Sequence, residues 1–149
     1  MFKNSEKGVT FIEIMFAIGL LAILSGAAVY LIDPVRQFAA ARNNQRVAHV
    51  NTILNAIHQR IADNRGTWNS TCGASVIALP SSTTTIGSDP PNLDLGICLV
   101  PVYLSTLPMD PSVGTATNTA YTIFQNTVSG RITVAASSTE LGETILITR

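Results

Sequence analysis

Charge is scarce in this chain. Only 12% of its 149 residues are charged, and nine Lys+Arg offset nine Asp+Glu. The lack of a basic excess argues against a protein built mainly to coat nucleic acid. Histidine is almost missing. His49 and His58 lie nine residues apart. That spacing puts them on opposite sides of a helix, so they cannot form a paired site within one chain. Both are expected at solvent-facing helix positions. The sequence has no metalloprotease helix motif, phosphate loop or dinucleotide fingerprint. No histidine stands near the C-terminal segment to activate one of its many serines. Enzyme chemistry is therefore not expected. Cysteine is limited to Cys72 and Cys98, and no His or further Cys clusters beside them, which argues against metal ligation. There is no internal repeat.

What is present is apolar residues, unevenly spread. They make up 46% of the chain, and 19 of the 24 residues Val9–Ile32 belong to them. Outside that run the composition is that of a small soluble domain. Ile14–Ile32 carries no charge at all. At ~1.5 Å per residue the 24-residue run reaches ~36 Å, enough for a ~30 Å hydrocarbon core. It is too long for the apolar core of a cleaved secretory signal. Two details do not suit a simple anchor. Glu13 lies inside the run, and an acid in hydrocarbon costs a few kcal/mol, which makes it a functional candidate. Small residues are frequent, and Ala22 and Gly26 form a pair that lets helix backbones approach closely.

Asp33-Pro34 interrupts the run, and a proline there is expected to kink the helix. An amphipathic stripe follows: Val47, Val50, Ile53/Leu54, Ile57 and Ile61 recur at three- and four-residue steps. Asn64-Arg65-Gly66 supplies a stop signal. The pattern predicts one helix from about Thr10 to about Asp63. From Thr67 onward the character changes, with 25 Ser/Thr and seven charged residues in 83. Residues 81–85 and 87–91 read as exposed loop. Three antiparallel strands are expected over Ala120–Asn126, Arg131–Ser137 and Glu143–Thr148. A sheet this small needs a cover, and the apolar face of 47–61 can supply it.

The stretch Lys7-Gly8-Val9-Thr10-Phe11-Ile12-Glu13-Ile14 resembles the leader junction of type IV prepilins, a family that covers type IV pilins and the pseudopilins of type II secretion. The shared pattern is a short charged leader ending in Gly, then Thr and Glu in fixed register before a long apolar helix. Valine stands after Gly8 where phenylalanine or methionine is more common. The resemblance implies cleavage after Gly8 by a prepilin peptidase, with N-methylation of Val9, leaving 141 residues. It implies assembly through the N-terminal helix, with Thr10 and Glu13 as assembly residues, and engagement of an inner-membrane assembly platform. The leader is placed in the cytoplasm on the same ground. Charge counting does not decide the topology, because Lys3 and Lys7 precede the span while Arg36, Arg42 and Arg46 follow it.

With the polar domain then outside the cytoplasm, a Cys72–Cys98 disulfide is expected. Leu107-Pro108-Met109-Asp110-Pro111, with Gly114 and Tyr121 after it, resembles the proline–aspartate segment before the sheet in major pseudopilins, where it can border a calcium site. Asp110, Glu140 and Glu143 are the candidate hard-ion ligands. No dense alternating Asp/Asn loop accompanies them, so no metal and no cofactor is expected. Arg42 and Arg46 lie one turn apart. They suit a solvated or intersubunit face better than phosphate contacts, and no specific nucleic-acid partner is expected. Asn69-Ser70-Thr71 forms a glycosylation sequon.

The resulting expectation is an α+β chain of type IV pilin-like fold: a long N-terminal helix, membrane-spanning in its first half and amphipathic in its second, on a small antiparallel sheet. Its parts are a leader (1–8), a transmembrane and assembly helix (9–32), an amphipathic continuation (33–66) and an extracytoplasmic domain (67–149). The expected role is a structural subunit, polymerising with like subunits. It waits in the cytoplasmic membrane and then enters a filament in the periplasm or at the cell surface. The alternative is a single-pass anchored domain that binds or catalyses as a monomer.

Overall fold

A computed structural model describes residues 8–149. The leader residues 1–7 lie outside the described residues. The chain divides into two compact units, Met1–Phe38 and Ala39–Arg149.

Helix α1 runs over Phe11–Ile32. Beyond Glu13 in its first turn it is apolar all round, which suits surroundings of hydrocarbon or other helices. The Ser25 hydroxyl donates to the Leu21 carbonyl at 2.7 Å, which satisfies that donor within the helix. Helix α2 runs over Pro34–Asp63. The single helix expected from Thr10 to Asp63 is thus two helices. At Asp33 the backbone turns left-handed (φ 46°, ψ 78°). The residue before a proline is disfavoured in the right-handed helical region, and Pro34 is suited to a first helical position. The Asp33 carboxylate accepts a hydrogen bond from the Arg36 N–H at 3.3 Å, an N-cap for the new helix. The Asp-Pro pair therefore ends one helix and starts another.

The C-terminus of α2 follows the sequence signal. Arg65 and Gly66 both have positive φ, and the Gly66 N–H closes back on the Ile61 carbonyl at 2.9 Å. Beyond it, β1 (Thr71–Cys72) and β2 (Ser75–Val76) form a short hairpin, and α3 (Gly96–Leu99) is a single turn. Four strands build the main sheet: β3 (Thr84–Thr85), β4 (Tyr121–Gln125), β5 (Ile132–Ala136) and β6 (Ile145–Thr148). They lie in chain order, every neighbouring pair antiparallel. The three long strands match the expected segments to within two residues at each end. Strand β3 was not expected. It falls in the Ser/Thr stretch read as exposed loop, where two threonines pair with Thr122 and Ile123 of β4.

The register puts Ile123 opposite Val134 and Val134 opposite Ile147. Tyr121, Ala136 and Ile145 share that face, which is the core face. Val50, Ile53, Leu54 and Ile57 of α2 are completely buried in the same cluster. The expected cover of helix on sheet is therefore present. Val47 stays largely exposed, one turn before the stripe enters the core.

Candidate functional site

Gly8, Val9 and Thr10 are exposed and lie ahead of α1, so the Gly8–Val9 bond stands outside any helix. Thr10 is the N-cap (φ −82°, ψ 151°), and its carbonyl accepts from the Glu13 and Ile14 N–H groups at 3.1 and 3.3 Å. Glu13 lies in the first turn, where a negative charge suits the exposed helix N–H groups. Residues 11–31 are long and apolar enough to cross a membrane, and none is buried within the chain. An apolar helix of this length with no partner in its own chain must find one elsewhere, in lipid or in other subunits.

The second cluster stands at the Ala39 end of the domain and centres on Arg46, which is fully buried. Its Nε donates to Asp110 Oδ2 at 2.7 Å and its Nη2 to Asp110 Oδ1 at 3.2 Å. Nη2 also donates to the Ser112 hydroxyl at 2.6 Å, and Nη1 to Glu140 Oε2 at 2.8 Å and Asn43 Oδ1 at 2.9 Å. Arg42 makes a two-pronged pair with Glu140. Asn43 donates to the Glu140 carbonyl at 2.7 Å and to Glu143 Oε2 at 3.0 Å. All of these groups are satisfied: among the described residues no buried side-chain N or O lacks a partner.

The proline–aspartate segment positions Asp110 for this. Its Oδ1 accepts from the Ser112 and Val113 N–H groups at 2.9 and 3.2 Å. Gly114 folds so close that a β-carbon there would collide with the Asp110 backbone. Burial pushes the Asp110 carboxyl up, but hydrogen bonds from Arg46, Ser112 and Val113 override it, so it titrates below the usual carboxylate range. Glu140 is held down at about 2 by the Arg42 guanidinium first and Arg46 second. The Arg46 guanidinium is in turn held protonated by Asp110.

This changes two sequence expectations. Arg42 and Arg46 do not form a solvated face, because both guanidiniums are engaged by carboxylates of the domain. The candidate hard-ion ligands do gather, but around a guanidinium: Asp110 and Glu140 bind Arg46, and Glu143 accepts from Asn43. His49 also departs from its expected solvent-facing place. It is half-buried, and its Nδ1 lies 2.9 Å from the Tyr121 hydroxyl. Burial, with the Asp110 charge adding to it, raises Tyr121 to about 12.

Cys72 and Cys98 are joined in a disulfide that ties β1 to α3. Arg60 braces the same region, which the sequence did not single out. Its guanidinium donates to the carbonyls of Cys98 at 3.0 Å, Asn69 at 3.0 Å and Thr71 at 2.9 Å, and it lies 5.3 Å from the centre of the Trp68 ring. The only local sign was a basic residue in the last turn of a helix, which says nothing of the loop it would hold.

Residues 3–29 match the family model described as the prokaryotic N-terminal methylation motif. That motif is the prepilin leader of type IV pilin- and pseudopilin-like proteins. The match covers the leader and most of α1 alone, and a leader of this kind implies processing by a prepilin peptidase and pilin-type assembly. The motif and the apolar helix together fit membrane anchoring followed by an extracellular filament. Neither a curated protein nor a solved structure matches the chain.

Proposed function

We propose that this protein is a structural, non-enzymatic subunit of a type IV pilus or of a pseudopilus like that of type II secretion. Cleavage after Gly8 and methylation of the Val9 amine give the mature subunit, which polymerises through α1. The observation that carries this reading is the pairing of a methylation motif over residues 3–29 with an apolar helix in which every residue from Phe11 to Leu31 is exposed. A monomeric anchor would account for the helix but not for the motif or for Glu13.

Glu13 has a defined role in this reading. Cleavage leaves a positive amine on Val9. Once helices bundle, amine and carboxylate both leave water, and an isolated charge there is heavily penalised. The amine of one subunit meets Glu13 of its neighbour, and helices offset wrongly bury two unpaired charges. In the described structure Val9 precedes the N-cap Thr10 and lies outside the helix that carries Glu13. The pairing invoked is therefore between subunits. Replacing Glu13 by Val tests it. The variant is expected to insert, be processed and accumulate in the membrane, yet yield few or no sheared filaments by electron microscopy. Wild-type amounts of ordered filaments from Glu13→Val overturn the role given to Glu13.

A further inference from the structure

The cations of the Ala39–Arg149 unit are sorted. The domain contains six arginines and no lysine. Arg42 and Arg46 are neutralised at one end of the sheet-facing helix. Among the described residues the other four, Arg60, Arg65, Arg131 and Arg149, form no salt bridge. All four belong to the opposite end, where α2 closes and the β4–β5 turn comes up beside it. A cleft of about 520 Å³ opens there. Its lining includes Trp68, Ile61, Arg131, Arg149, His58 and Gln125. Arg65 precedes Gly66, which also lines it, and Arg60 lies against the Trp68 ring. No acidic side chain lines the cleft.

We propose that this cleft binds a carboxylated saccharide unit, such as a uronic-acid residue of an acidic polysaccharide. The volume lies in the range of about 300–1,000 Å³ typical of small-molecule sites. The lining joins an indole and an aliphatic side chain, which suit the C–H face of a sugar ring, to backbone and amide groups that suit its hydroxyls. Arg131 then supplies a cation with no other employment: its guanidinium makes no hydrogen bond among the described residues, whereas Arg149 is already steadied by Asn51 and Asn55 at 2.9 and 2.7 Å. A planar guanidinium pairs with a carboxylate through two parallel hydrogen bonds. Nucleic acid fits less well. A single-strand groove needs a basic track along the backbone and successive aromatic platforms, and here one tryptophan stands in a bounded cleft.

The proposal does not depend on polymerisation, so it can be tested on the full chain as a monomer in an uncharged detergent. The probe is trigalacturonic acid, titrated by calorimetry. Saturable binding is expected, weakened by added salt because the arginines are exposed. Arg131→Ala is expected to bind about tenfold more weakly, the effect of losing one charged hydrogen-bonding partner. Its circular dichroism and Tm should match wild type, since the side chain supports no other group. Arg36→Ala removes the same charge outside the cleft and should leave binding unchanged. A neutral galactose trisaccharide should not bind. The proposal is overturned by absence of saturable binding at millimolar trigalacturonate, by equal binding to Arg131→Ala, or by equal binding of the neutral sugar. Tighter, Arg131-dependent binding of a thymidine oligonucleotide overturns it in favour of a nucleic-acid site.

Discussion

Arg46 and Asp110, 64 residues apart in the chain, meet as a buried two-pronged ion pair with no solvent access to either charged group. The pair clamps the proline–aspartate loop to the helix that covers the sheet. Such a pair contributes little net stability against an apolar replacement of equal shape, but breaking it is costly because one charge stays buried alone.

Arg46→Ala therefore should destabilise the domain by roughly 3–5 kcal/mol, and Asp110→Ala by a similar amount. The double variant should lose less than the sum of the two, because it removes both charges of the pair and leaves neither buried alone. Thermal unfolding of the full chain in detergent, followed by near-ultraviolet circular dichroism, measures all three. Additive losses would show that the two residues act independently.

Acid should act on the same cluster. The Asp110 and Glu140 carboxyls both titrate below their ordinary values of 3.8 and 4.5, Glu140 at about 2. A carboxyl whose folded value is depressed stabilises the fold above its unfolded value, and that contribution is lost as pH falls through the folded value. The Tm is expected to be flat from neutral pH to about pH 5 and to fall between about pH 4.5 and 2. Glu140→Gln should flatten part of that fall. A wild-type Tm independent of pH down to 2 would contradict the linkage.

Reduction should matter as well. The Cys72–Cys98 bridge joins residues 26 apart, and closing a loop of that size stabilises by ~3–4 kcal/mol on the chain-entropy account. Nonreducing peptide mapping of protein exported by its host should recover the two peptides linked. Adding a thiol reductant should lower the Tm, and Cys72→Ser should lower it without reductant. Two free thiols in exported protein would refute the bridge.

Processing is checked by mass. Membrane-extracted protein from a host with an active prepilin peptidase should begin at N-methylated Val9, and Gly8→Leu should trap the precursor. Full-length chain as the sole product would refute cleavage at Gly8.

Much of this architecture was legible in the residue pattern. The charge-free run of α1, the stripe Val50–Ile57 and the alternation in β4, β5 and β6 are all readings of period: what repeats every 3.6 or 2 residues faces one environment. Asp33-Pro34 was legible only in part. The proline announced an interruption, but the same two residues also cap and start the next helix, and that followed from where the Asp33 carboxylate points. Strand β3 was hidden because Ser and Thr satisfy turn and strand signals alike, and only the free edge of β4 recruited it.

What the sequence determined by itself is therefore the membrane-competent helix, the processing motif, the amphipathic cover and the strands. Each depends on residues close in the chain or on their contrast with water. The tertiary structure alone decided which charges meet. Arg42 and Arg46 look like a solvated pair on a helix, and nothing local says that their partners are Glu140, 98 residues from Arg42, and Asp110, 64 from Arg46. Charge pairing is a matter of distance in space and of shared burial, and a period along the chain reports neither. The same holds for the cleft, whose Trp68, Arg131 and Arg149 come from three separate segments and become neighbours only when the sheet closes against α2.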